Sequence, residues 1–417
     1  MKIPNGWKPF EFGKAVSFNP KVQFQRGEQY MFIEMDDVNP ADKYVSGKEK
    51  RVYITGSCSK FRNDDVLFAR ITPCLDNKKI ATAAIGENQI GFGSTEFIVL
   101  RAKENITVQQ YVHYLSKSEY IIQNAINSYV GASGRQRADA NFIKKVIIPI
   151  PKIPEQQCIA SILSAYDDLI ENNNKRIALL EQMAQQIYKE WFVRMRFPGY
   201  ENSVFEKGVP RGWKWEKVEE IFKTSSGGTP SRKKEQEYYG GSIDWIKTGE
   251  LKDTFIFDSE EKITESGLKN SSAKLFPSNT LLMAMYGVNI GQLGISVKSS
   301  TANQAVCVFL PIKPKEYSLY YSFFFFKSIR LHLFNISMGA AQQNLSQNII
   351  KRLNYLRPDA KILLDFDNIQ KPFFELILKL SIETQILKQT RDLLLPRLIS
   401  GKLRVKEIKE EQELLVK

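Results

Sequence analysis

Residues 154–191, PEQQCIASILSAYDDLIENNNKRIALLEQMAQQIYKEW, decide how this chain is built. Within them Ile159, Leu163, Tyr166, Ile170, Asn173, Ile177, Leu180, Ala184, Ile187 and Trp191 recur alternately four and three apart. That spacing keeps one stripe of a helix turned towards a partner helix. Pro154 followed by Glu155 suits a first helical turn, where a missing N–H is harmless and a carboxylate meets the positive helix end. Pro198-Gly199 closes the segment, so a spacer helix is predicted over 154–197. Asn173 is either a polar residue that fixes the register of the stripe or a residue at its solvent edge.

The stripe returns 207 residues later as Phe366, Gln370, Phe373, Ile377, Leu380, Thr384, Leu387, Arg391, Leu394 and Leu398, seven of them apolar. A second spacer helix is expected over 365–404, followed by a charged tail over 405–417. Pro372 should mark its start or a kink, because the ring displaces a backbone hydrogen bond. Pro396 should disturb the last turn, and Gly401 suits the C-terminal cap.

The repetition extends beyond the helices. Pro4-Asn5-Gly6-Trp7-Lys8 recurs as Pro210-Arg211-Gly212-Trp213-Lys214, Gly131-Ala132 as Gly339-Ala340, and Asn141-Phe142-Ile143-Lys144-Lys145 as Asn348-Ile349-Ile350-Lys351-Arg352, at offsets of 206–208. Asp64-Asp65-Val66-Leu67-Phe68-Ala69 has its counterpart in Ser278-Asn279-Thr280-Leu281-Leu282-Met283-Ala284. Four matches in one order make an internal duplication. Each copy has a globular part, 1–153 or 198–364, then a long helix. Runs 79–85, 96–100 and 305–310 read as strands and 108–125 as helix. Run 317–326 is too short to span a bilayer and reads as a buried helix or strand. The fold class is therefore α+β: two α/β domains separated by two long helices that form an antiparallel coiled coil, with a pseudo-twofold internal repeat. The alternative, each helix lying on its own domain, buries the two stripes less economically.

Lysine and arginine number 59 against 46 acidic residues, a formal charge of +13, which favours a polyanionic partner through counterion release. The four cysteines lie far apart with no CxxC pair, as suits a reducing cytoplasm. No signal layout and no membrane span is expected. Nor is a catalytic motif found. Asn39-Pro40 runs on into Ala41-Asp42 rather than the Pro-Tyr of a base-gripping loop, and no GxGxxG or GxxxxGK[ST] loop cradles a cofactor or phosphate. His113 and His332 sit in apolar aromatic stretches and read as core residues. Glu260-Glu261-Lys262 with Asp244 upstream fits a metal nuclease only loosely. Expected, then, is a binding protein that holds no cofactor or metal.

Candidate DNA contacts are turns that carry hydroxyls, amides and cations. One is Ser226, Gly227, Gly228, Thr229, Ser231, Arg232, Lys233 and Lys234, a cationic cluster beside what reads as a flexible glycine pair. Another is Ser133, Arg135, Gln136 and Arg137, whose repeat partner is Gln342, Gln343 and Asn344. Arg62, Arg70, Thr72, Lys78 and Lys79 flank the run 66–69, and Tyr286 follows its counterpart.

These residues resemble a known family, the specificity subunits of type I restriction-modification systems. The resemblance rests on Pro210-Arg211-Gly212-Trp213, Gly227-Gly228-Thr229-Pro230, Tyr239-Gly240-Gly241-Ser242-Ile243-Asp244-Trp245-Ile246, the stretch 61–74 and Gly93-Ser94-Thr95-Glu96-Phe97. It also rests on Pro154-Glu155-Gln156-Gln157 and the stretch 394–402. The resemblance implies two target recognition domains that read the halves of a split, asymmetric site in double-stranded DNA. It implies helices that dock two methyltransferase subunits, which use S-adenosylmethionine, and endonuclease/translocase subunits that use ATP and Mg. A cytoplasmic, nucleoid-associated location in a prokaryote follows. The chain departs from the family pattern at Pro358-Asp359-Ala360-Lys361, which leaves the start of the second helix open. The competing class is a free-standing two-domain transcriptional regulator, which would need no partner.

Overall fold

Val66–Ala69 is buried at all four positions, as a strand covered on both faces must be. It is central in a five-stranded sheet ordered Val16–Phe18, Phe97–Ala102, Val66–Ala69, Ile80–Ala83, Tyr44–Val45. All its pairs are antiparallel except the last. The computed structural model describes residues 3–54, 56–132, 134–338 and 344–405. The chain divides into two compact units, Met1–Lys175 with Glu383–Lys417, and Arg176–Ile382.

The second unit builds the same sheet from Phe222–Ser226, Val306–Pro311, Leu281–Ala284, Leu293–Ser296 and Thr254–Ile256, again with only the last pair parallel. Each unit adds a smaller sheet. Gln29–Ile33 pairs antiparallel with Glu49–Val52 and parallel with Ile90–Gly93; Tyr239–Ile246 does the same with Lys262–Ile263 and Thr301–Ala302. A two-stranded pair joins the start and end of each copy, Lys8–Glu11 to Ile147–Ile150 and Lys214–Lys217 to Asn354–Arg357. Asp64 and Asn279 take the same left-handed turn, φ 71° and 56°, two residues before Val66 and Leu281. Asn and Asp tolerate that region best among residues with a side chain. The duplication is thus one of strand order and direction as well as sequence.

The helix expected over 108–125 is two, Gln109–Ser116 and Glu119–Asn127. Ser118 divides them, its side chain accepting from the Ile121 N–H as an N-cap. The run 317–326 is a helix, Leu319–Ser328, with Tyr321 to Phe326 buried. No helix among the described residues is long and apolar enough to cross a membrane.

The first long helix, Ile153–Tyr188, ends in a π-turn over Lys189–Val193. The second spans Ala360–Ile399, starting straight after Asp359, whose carboxylate accepts from the Lys361 N–H at 2.8 Å. Pro372 therefore marks no start, and the helix runs through it. Pro372 and Asn368, whose carbonyl the ring leaves without a donor, are both exposed, so solvent can serve that carbonyl. Pro396 does not interrupt the last turn either, since the Ser400 N–H reaches its carbonyl at 3.2 Å. Gly401, at φ 67°, donates to Leu398 O as expected of a cap.

No position of either stripe is solvent-exposed. In the second unit Gln370 Nε2 donates to Ala184 O at 3.0 Å and the rings of Trp191 and Phe366 lie 5.7 Å apart, so rising numbers on one helix meet falling numbers on the other. Antiparallel packing is thereby observed there. In the first unit Arg391 Nη1 meets Asp167 Oδ1 at 2.6 Å, and Tyr114 donates to the other oxygen at 2.5 Å. Asn173 is 3% exposed, which removes the solvent-edge reading.

Both side chains of the Asp167–Arg391 pair are nearly sealed from solvent, at 5% and 12% exposure. Removing one partner from such a pair strands a charge. Asp167→Ala should therefore lower stability by about 3 kcal/mol, less whatever Asp392 recovers at Arg391. Urea unfolding of the full chain measures this, and a loss below about 1 kcal/mol would show the pair to be solvated.

Candidate nucleic-acid interface

Past the central strand Val66–Ala69 the chain continues through the half-buried Arg70, Ile71 and Thr72, and a returning segment meets it there. Ile71 and Arg137 form an isolated antiparallel bridge. Around it Thr72 N donates to Gln136 O at 3.0 Å, Gln136 N to Thr72 Oγ1 at 3.0 Å, and Ala138 N to Arg70 O at 2.7 Å. Four sequence candidates, Arg70, Thr72, Gln136 and Arg137, are thereby gathered into one patch. Arg135, next along, is exposed, and Ser133 lies outside the described residues.

Glu96 organises this patch. Its carboxylate accepts Arg137 through Nε at 3.0 Å and Nη2 at 2.6 Å, and Arg70 through Nε at 3.3 Å. Hydrogen bonds from Arg137, helped by Arg70, outweigh partial burial and hold the Glu96 carboxyl below its ordinary range. Sequence reasoning placed Glu96 in a strand and gave it no role. The available signal was a carboxylate directly before an apolar run, in a chain whose cations are in excess.

The second unit repeats the bridge with Tyr286 and Asn344. Tyr286 is 41% exposed, and Val288 beside it is 95% exposed. Gln342 and Gln343 lie outside the described residues. The remaining first-unit candidates bond elsewhere: Lys78 with Glu119 at 3.0 Å, and Lys79 with Met35 O at 2.9 Å. Arg62 is exposed.

The glycine pair does not supply flexibility. Gly227 and Gly228 are buried, and a Cβ on Gly227 would stand 1.8 Å from Ala302 O. Gly228 N donates to Ala302 O, and its own carbonyl accepts from Trp245 Nε1 at 2.8 Å. Backbone-to-backbone contact demands glycine here. Ser226 ends the strand Phe222–Ser226, and Thr229 donates to Gln304. Arg232 lies 4.1 Å over the Tyr239 ring and pairs with Glu261 and Glu235, while Lys234 pairs with Glu237. Ser231 and Lys233 are exposed, and Lys233 has no ion-pair partner among the described residues.

The loose nuclease match dissolves into ion pairs. Asp244 is buried against Lys298 at 3.0 Å and Lys262 at 3.6 Å, and Glu261 belongs to Arg232 and Lys247. Among the described residues no group of three His, Cys, Asp or Glu side chains could hold a metal ion. His113 is a core residue bonded to Thr82 Oγ1 at 2.9 Å, and burial holds its pKa well below the usual value. His332 is not. On its helix Leu333 takes the buried position and leaves His332 exposed.

Comparison with known proteins places these observations in a lineage. The family described as Type I restriction modification DNA specificity domain matches residues 10–182 and again 210–389. The chain is 26% identical over 391 residues to the type I restriction enzyme MjaIX specificity subunit of Methanocaldococcus jannaschii, covering 91% of this chain and 85% of that one. It is 23% identical over 467 residues to the HindI specificity subunit of Haemophilus influenzae, covering 95% and 99%. Among solved structures, the type I restriction-modification S subunit from M. genitalium superposes with a TM-score of 0.58 at 14% identity, over 95% of this chain and 98% of that one.

If Gly227 serves packing, Gly227→Ala should destabilise the chain by at least ~2 kcal/mol, since overpacked sites that cannot yield cost this much. Gly249→Ala, with nothing within 4 Å of its Cβ, should cost less than about 1 kcal/mol. Equal unfolding midpoints for the two variants would contradict the packing role.

Proposed function

We propose, since the chain belongs to the type I restriction-modification DNA specificity family, that its two units each read one half of a split, asymmetric site in double-stranded DNA. The chain is a recognition subunit and not a catalyst. The observation that carries the split-site reading is the repeated bridge. Ile71–Arg137 and Tyr286–Asn344 stand at the same point of two copies of one sheet, and each presents a side chain able to contact a base edge. Lys233, Arg62 and Arg135, all exposed, would contact phosphates, which position a protein without reading sequence.

On this reading the two long helices dock a pair of adenine methyltransferase subunits that bring S-adenosylmethionine, and endonuclease/translocase subunits that use ATP and Mg join for restriction. The complex works in the prokaryotic cytoplasm on the nucleoid. The direct test is to produce the chain with a type I methyltransferase partner and map methylated adenines. The expected result is one motif of two short specific parts around an unspecified spacer; a continuous palindrome, or no methylation dependent on the chain, would refute the reading.

The helices are also proposed to set the spacer. The stripe from Ile159 to Trp191 covers 33 positions, roughly 50 Å at about 1.5 Å each. Adding one heptad to both helices lengthens each by roughly 10 Å and preserves the stripe. Sites selected from a random-spacer library should then carry a spacer about three base pairs longer at about 3.4 Å per pair, with the specific bases unchanged. An unchanged spacer in a well-folded variant would remove the helices from this role.

A further inference from the structure

The two units align at the bridge residue by residue. In the first, Arg70 N donates to Glu96 O at 2.9 Å and Ala138 N to Arg70 O at 2.7 Å; in the second, Met285 N donates to Ala305 O and Leu345 N to Met285 O, both at 2.9 Å. Arg70, Glu96 and Arg137 therefore occupy the places of Met285, Ala305 and Asn344. One backbone carries a charged trio in one copy and an uncharged set in the other.

The trio has a direction. Glu96 grips Arg137 side-on, through Nε and Nη2, and among the described residues nothing engages Nη1. The Glu96 side chain is only 17% exposed and also accepts from Arg70 Nε, so the carboxylate is itself anchored. Arg137, 46% exposed, offers its remaining edge outward. An arginine fixed in this way has already surrendered the rotamer freedom that a loose surface arginine loses on binding. A planar guanidinium edge fits O6 and N7 of guanine, whereas a carboxamide such as that of Asn344 fits N6 and N7 of adenine.

Resting on the split-site reading above, we propose that this one locus determines a base in each half-site: Arg137 selects guanine in the half read by the first unit, with Glu96 as its positioning residue, and Asn344 selects adenine in the half read by the second. The chemical difference at a shared backbone position is what makes the two half-sites unlike.

Selection of duplexes from a random library by the full chain, compared with R137A, R137K, E96Q and N344A, tests this. R137A should lose preference for one guanine by roughly five- to a hundred-fold and leave the other half-site intact. R137K should not restore it, because an ammonium is a point charge without the fork. E96Q, nearly isosteric, should weaken preference at that same guanine, with an unchanged unfolding midpoint confirming that the fold survives. N344A should relax one adenine in the other half alone. A uniform loss of affinity across sequences in R137A, or relaxation at a base other than guanine, overturns the assignment. Full guanine preference in E96Q overturns the positioning role. A wild-type chain that enriches no two-part motif defeats the split-site reading itself, a failure visible before any variant is compared.

Discussion

Everything in this chain depends on burying the apolar stripes of two long helices, because neither globular part closes its core without them. Ile159, Leu163, Leu398 and Ile399 complete the first core beside Phe12, Phe68 and Tyr111. Ala184, Trp191, Phe366 and Phe374 complete the second beside Phe222, Phe309 and Tyr321. Each of these Ile, Leu and Phe side chains contributes about 1.5–3 kcal/mol on leaving water, so the helical segments weigh heavily in both units. The division into units falls within both helices, which is the same fact seen from the backbone.

The stripes also carry polar groups where apolar ones would pack more simply. Asn173, Gln370 and Thr384 are buried, each with a side-chain atom that finds no partner among the described residues. Arg391 and Asp167 add a buried ion pair. The Gln370 Nε2 bond to Ala184 O and the Arg391–Asp167 pair favour one register, because a slip would strand those groups against aliphatic neighbours.

What was legible in the sequence was the periodic and the repeated. The stripe could be read position by position because a 3.5-residue period is local, and the duplication because four matches recur in one order. Contacts between distant segments were not legible. Gly227 and Gly228 read as a flexible turn because composition does not reveal that the Ala302 backbone passes against them. Pro372 read as a start or a kink because local sequence does not show that Asn368 faces solvent. His332 read as core because its neighbours are apolar, although of Leu331, Leu333 and Phe334 it is Leu333 that is buried. Glu96 was given no role for the same reason: its two arginines lie 26 and 41 residues away in the chain. Of the candidate contacts, the pairing of 136–138 with 70–72 was not anticipated, the residues being named only as separate stretches.

The central claim is that two copies of one fold read DNA independently. Replacing residues 1–150 with the equivalent part of a relative of different specificity, and mapping adenine methylation directed by the hybrid with its methyltransferase partner, tests that claim most directly. The account predicts a motif with one half exchanged and the other half unchanged. A folded hybrid that alters both halves would contradict it, since the two copies would then share a single reading surface.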